Sequence, residues 1–149
     1  MIQFFVERVK FSLVGKRLLK KWIAQTIEAR DKECGEINVI FVSDSYILQL
    51  NQKTLGHNFY TDIITFDYTD GHIVNGDLYI SADTVFANSI EYKQTYEMEI
   101  CRVIIHGILH MTGEDDLTLV QQKKMRAAEN AALKKLSVES IKCTLKNDR

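Results

Sequence analysis

The chain predicts an α+β fold, a single domain in which a small mixed four-stranded sheet is packed with helices. Three observations carry this. Four short segments rich in β-branched and aromatic residues, 2–6, 36–43, 62–67 and 77–80, read as strands. Longer stretches with apolar residues three and four apart lie between and after them and read as amphipathic helices. The 149 residues, 46% hydrophobic and 26% charged, suffice for one core that buries roughly 68–70% of the unfolded surface.

The opening segment 2–6 reads as a strand rather than a signal peptide, because no basic region precedes it and charge interrupts its apolar run. A basic stretch leads to a helix over about 16–29. Its buried stripe is Leu18, Leu19, Trp22, Ile23 and Ile27, while Lys16, Arg17, Lys20 and Lys21 point outward. Together with Arg8 and Lys10 that basic face is the best local candidate for a phosphate-contacting surface; the alternative is an ordinary solvated face. After the strand 36–43, Ser43 or Asp44 caps a helix that turns Ile47, Leu48 and Leu50 inward and ends near Gly56. A loop over 57–61 precedes the strand 62–67, and the turn Thr69-Asp70-Gly71 predicts a hairpin into 77–80. From Ala82 the chain is helical, with a break near Gln94-Thr95 and a second apolar helix over Tyr96–Met111. Thr118-x-x-Gln121 is a capping box that opens a last helix to about Leu136. The domain is therefore expected over 1–136, with 137–149 a frayed tail. There is no internal repeat, no linker and no proline.

Composition narrows the function. A net charge of −1 gives no whole-molecule attraction to nucleic acid, so any basic surface must be local. No apolar run approaches the ~20 residues of a membrane span, so no membrane partner is expected. Cys34, Cys101 and Cys143 are odd in number and lack C-x-x-C spacing, as suits free thiols in a reducing compartment; the cytoplasm is the expected location.

The chemistry gathers in His106-Gly-Ile-Leu-His110-Met-Thr-Gly113-Glu-Asp-Asp116. On a helix His106 and His110 lie one turn apart on one face, with Cβ atoms roughly 6 Å from each other, so both imidazoles can reach one ion. Gly113 can take φ > 0, end the helix and fold the chain back, which lets Asp116 supply a third ligand. A bare H-x-x-x-H arises often by chance and describes core histidines as well; Gly113 and Asp116 tilt it toward a metal site. Imidazole and carboxylate donors with an open fourth position suit Zn²⁺, with Mn²⁺, Ni²⁺ or Fe²⁺ as other occupants. The spacing is that of the long zinc motif of metzincin peptidases, but Gly107 stands where their general-base glutamate would be, which disfavours a peptidase.

Other motifs run in order around that stretch. Leu50-Asn51 closes a helix, followed by Thr61-Asp62-Ile-Ile-Thr65-Phe66, then Gly76-Asp77-Leu-Tyr-Ile80-Ser81, then Glu99 seven residues before His106. Across 41–129 this combination resembles the YbeY family of bacterial rRNA maturation factors, described as metal-dependent endoribonucleases. The resemblance implies one Zn²⁺ per chain, single-stranded and ribosomal RNA as substrate and the small ribosomal subunit as partner. It also implies a role in 16S rRNA 3′ end processing and ribosome quality control. A monomer is expected. The sequence departs from the family pattern twice. The commonest third ligand there is histidine and here it is Asp116, which binds zinc at a similar ~2.0–2.2 Å but raises the ligand charge by one and weakens the Lewis acid. A family arginine six residues before the threonine of the Thr-Asp motif is Leu55 here.

His106, His110 and Glu99 are the expected catalytic residues. Glu99 lies about 20° from His106 on the helical wheel, two turns earlier. It is either a partner for an imidazole N–H or a base, or else a surface carboxylate paired with Arg102. Glu114 and Asp115 are expected as solvated acids of the turn. His57 is a proton shuttle, an RNA contact or a plain loop histidine. Phe59 and Tyr60 either stack on unpaired bases or pack in the core. Asp62, Thr65 and Asp77 read as side chains that settle hydrogen bonds near strand ends. Beside the nuclease stand two competing readings, a metallohydrolase of another class and a non-catalytic assembly factor whose metal pins the helix to the turn.

Overall fold

A computed structural model describes residues 1–56 and 61–146. In chain order the elements are β1 (Ile2–Glu7), β2 (Lys10–Val14), α1 (Lys16–Glu28), β3 (Glu33–Val42), α2 (Asp44–Leu55), β4 (Ile63–Asp67), β5 (Ile73–Ser81), α3 (Ala82–Glu91), α4 (Tyr96–Met111), α5 (Leu119–Leu133) and, after a short 3₁₀ turn over Val138–Ser140, β6 (Lys142–Lys146). The four expected strands form one mixed sheet in the order β1-β3-β5-β4. β1 and β5 run parallel to β3, and the β4–β5 hairpin is antiparallel.

Period-two alternation assigns each face of this sheet. Val39 and Phe41 of β3 and Leu78 and Ile80 of β5 join the main core with α1 and α4, while Ile40 and Ile64 pack with Ile47 of α2 on the other face. Within α4, Ile100, Cys101, Ile104, Ile105 and Ile108 are wholly buried, so this helix is the central one. Its direction is set at both ends. The Thr95 side chain accepts the Met98 N–H at 3.1 Å, and the chain leaves through Gly113 at φ +110. Helix α5 closes over it: its capping box is formed, and Trp22 of α1 donates to the Ala132 carbonyl at 2.8 Å.

The described residues 137–146 correct the expectation of a frayed tail there, and 147–149 lie outside the described residues. Residues Lys142–Lys146 form β6, antiparallel to β2, with Phe11 opposite Leu145 and Leu13 opposite Cys143. Phe11 and Leu13 are buried and need a cover, and β6 supplies it; the Cys143 N–H also donates to a Glu97 carboxylate oxygen at 2.9 Å. Each strand has only five residues, with apolar side chains at every second position, and the partners lie at opposite ends of the sequence. Neither is recognisable without the other.

Candidate metal centre

The last turn of α4 makes the site. The Gly113 N–H bonds to the His110 carbonyl at 3.1 Å and the Glu114 N–H to the Leu109 carbonyl at 3.0 Å, a Schellman closure that satisfies the helix end and reverses the chain. Glu114, expected in solvent, is buried and ion-paired with Arg30 just beyond α1, which fastens the turn to the body. A carboxylate buried there needs a cation, and no local partner for it stands in the sequence. Asp115 is exposed as expected.

The reversal carries Asp116 back to the histidines. Its Oδ2 lies 3.4 Å from His106 Nε2 and 3.4 Å from His110 Nε2, and one donor atom from each residue falls within 4.8 Å of the others. Two ligands about 2.05 Å from one ion at a tetrahedral angle lie about 3.3 Å apart, so these separations fit a single tetrahedral transition metal. The two imidazole planes are nearly perpendicular, at 84°.

His106 Nδ1 lies 2.7 Å from Glu129 Oε2 of α5, and Arg102 Nη1 donates to Glu129 Oε1 at 2.9 Å. Burial alone would lower the His106 pKa, but the bond and charge of Glu129, helped by Asp116 and Asp62, outweigh it and raise the value. Burial likewise works to raise the Glu129 pKa, yet the same bonds to His106 and Arg102 prevail and lower it. An ionised Glu129 can accept the Nδ1 proton, the arrangement in which Nε2 is free to serve a metal ion.

Glu129 is the residue the sequence reading missed. Its signal was an acid in register with Met125, Ala132 and Leu133 on the buried stripe of α5. Both structural roles expected for Glu99 are thereby corrected: the His106 ring partner is Glu129, and Arg102 turns to Glu129 and Asn130. Glu99 itself is 5% exposed and lines a cleft of about 300 Å³ with Asp62, Tyr92, Gln122, Arg126 and His106. Burial raises its pKa against the pull of Arg102 and Arg126, with Asp62 and Glu129 adding to the rise. Its carboxyl makes no hydrogen bond or ion pair among the described residues.

Asp62 lines the same cleft and a second one of about 570 Å³ that also touches His110; the two clefts meet at His106 and Asp116. Burial raises the Asp62 pKa, opposed by His106. Thr65 lines the second cleft, whereas Asp77 accepts a cross-strand bond from Asn38 at 2.9 Å. Leu55 is the last residue of α2. His57, Phe59 and Tyr60 lie outside the described residues.

A mixed α+β sheet whose central helix ends in two imidazoles and a returning carboxylate defines the class: a fold with a cluster of three side chains that could hold one metal ion. The family model described as endoribonuclease YbeY matches residues 5–137, and the chain belongs to the YbeY family. Endoribonuclease YbeY of Porphyromonas gingivalis is 47% identical over 132 residues, 89% of this chain and 87% of the relative. That of Phocaeicola vulgatus is 45% identical over 138 residues, 93% and 100% of the two chains. The solution structure of TM1509 from Thermotoga maritima superposes with a TM-score of 0.62 at 29% identity and covers 91% of each chain. Among the described residues no helix is long and apolar enough to cross a membrane.

Proposed function

We propose that this chain is a metal-dependent endoribonuclease that cuts single-stranded RNA during ribosomal RNA maturation, with His106, His110 and Asp116 as metal ligands. The observation that carries the reading is the pair of 3.4 Å separations between Asp116 and the two histidines in a member of the YbeY family. The relatives from P. gingivalis and P. vulgatus bear the name endoribonuclease, which supports an RNA phosphodiester as the bond attacked. Three protein ligands with an open position favour one Zn²⁺ per chain, and other divalent transition metals suit the same donors. The ion would supply Lewis-acid polarisation of a phosphoryl oxygen and a lowered pKa for water.

The chain's own residues do the rest. Glu129, held by Arg102, fixes the His106 ring and its tautomer. Glu99 takes a proton on a carboxylate oxygen, from water or from the RNA 2′-hydroxyl, within the cleft it lines; its raised pKa suits that task. That cleft, about 300 Å³, is at the lower end of ligand pockets (~300–1,000 Å³) and accommodates one unpaired base with its sugar, which favours single strands. Within this reading the RNA belongs to the small ribosomal subunit, with the 16S 3′ end and ribosome quality control as its setting, and the protein works as a cytoplasmic monomer.

The test is cleavage of a labelled single-stranded RNA by protein free of other ribonucleases, beside a His106→Ala/His110→Ala preparation purified identically. Cleavage by the wild type alone is expected. Equal cleavage by both, or none by either, overturns the catalytic assignment and leaves the metal as a pin between α4 and the turn.

A further inference from the structure

Charge is divided unevenly over the molecule. The cleft on the metal side is lined by Asp62, Asp67, Asp115 and Asp116, with no lysine or arginine among its lining residues. Four carboxylates against one divalent ion leave that wall a poor magnet for a polyanion. In the adjoining cleft the arginines Arg102 and Arg126 both pair with Glu129, so affinity for a longer RNA has to be built elsewhere.

The β2–β6 ribbon has the opposite character. Its inner face packs Phe11 and Leu13 into the core, and its exposed face presents Lys10, Lys142 and Lys146 among Ser12, Val14 and Thr144, with no acid in either strand. Gly15 links β2 to α1 and sits against Ser140 and Ile141 at the start of β6. The exposed Lys16, Arg17 and Lys20 of α1 therefore begin beside the ribbon, again with no acid in the helix's first turn. Cations gathered on one face are the footprint of a phosphate backbone.

We propose that the outer face of the β2–β6 ribbon, with the first turns of α1, binds the backbone of single-stranded RNA as a second attachment remote from the metal centre. The proposal rests on the nuclease reading for its substrate and adds where that substrate is held. Helix α4 is the ruler between the two places. Glu97 in its first turn accepts the bond from Cys143 of β6, and His110 lies thirteen residues further along, about 20 Å at 1.5 Å per residue. A stacked strand advances about 3.4 Å per nucleotide, so about six nucleotides span the gap. An RNA shorter than that reaches the metal without reaching the ribbon.

The experiment has two readouts on the metal-loaded protein. The first is anisotropy of a labelled single-stranded DNA of about 24 nucleotides, whose backbone a ribonuclease does not cut, titrated at several salt concentrations. The second is the ratio of kcat/KM for RNAs of about 24 and about six nucleotides. Lys142→Ala/Lys146→Ala is expected to weaken the binding several-fold and to reduce its log–log salt slope by about 1.4, at about 0.7 for each phosphate no longer neutralised. The long-to-short cleavage ratio is expected to fall toward one. Lys16→Ala/Arg17→Ala, which leaves the ribbon untouched, is expected to reduce the slope in the same way, and thermal melts exclude loss of fold as the cause. Wild-type affinity, slope and ratio in both variants overturn the proposal even when RNA is cut. A reduced slope in variants of a protein that cuts no RNA upholds the ribbon and overturns the nuclease reading.

Discussion

At the scale of single residues, Glu129 connects folding to the metal. It is a buried carboxylate shared by Arg102 and His106, and its removal leaves the imidazole without its acceptor and the guanidinium with Asn130 alone. Glu129→Ala is expected to cost roughly 2–4 kcal/mol of stability, measured by urea denaturation, because stranding partly buried donors is more costly than the net value of the bonds. It is also expected to weaken metal binding about 10–100-fold in a chelator competition, since the His106 ring loses its fixed tautomer. Glu129→Gln can still accept from Arg102 and should recover more of the stability than of the metal affinity. Equal recovery of both would argue that Glu129 acts on the fold alone.

At the scale of elements, the seating of α4 on the sheet sets where the ligands stand. Gly107 faces the sheet, and a Cβ there would lie 2.8 Å from Leu78 Cδ2 and 2.9 Å from Ile63 Cδ1. The position that holds a glutamate in zinc peptidases is thus occupied by a close approach of helix to strands, which is a structural reason for the absence of that base. Gly107→Ala is expected to cost about 1–3 kcal/mol through overpacking and to lower metal affinity by lifting the histidines from the turn. Calorimetry and the same chelator competition check it; unchanged values for both would mean that Leu78 and Ile63 yield freely.

On the scale of the whole molecule, β6 fastens the end of the chain to its beginning. Ending the chain at residue 141 would uncover Phe11 and Leu13, and at about 1.5–3 kcal/mol for each apolar side chain the expected loss is roughly 3–6 kcal/mol, a large share of a typical domain's stability. Urea denaturation of the truncated protein measures it, and an unchanged midpoint would mean the ribbon adds nothing to the fold. The same region sets the alkaline limit. Burial, with Glu97 adding to it, pushes the Cys101 thiol up to about 12, and burial also raises Cys143 and Tyr96. Folding therefore favours the neutral forms. That stability is fully present below the ordinary thiol value of 9.0 and is lost as pH climbs through the folded values. Melting temperature should hold steady up to about pH 8.5 and fall by pH 10–11, and native Cys101 should resist alkylation.

The sequence by itself determined what is local and periodic. It specified the four sheet strands through their β-branched runs, and the helices through apolar spacing and the caps at Ser43 and Thr118. It also specified the His106, His110 and Asp116 triad, because helix pitch and a glycine turn act within eleven residues. Only the tertiary structure decided the pairings that join distant segments. Glu129 took the place foreseen for Glu99 beside His106, Arg30 reached Glu114, and β6 covered β2. The physical reason is common to all three. A buried charge or a half-apolar strand must find a partner, but the chain states only the need, and packing alone brings the partner within reach.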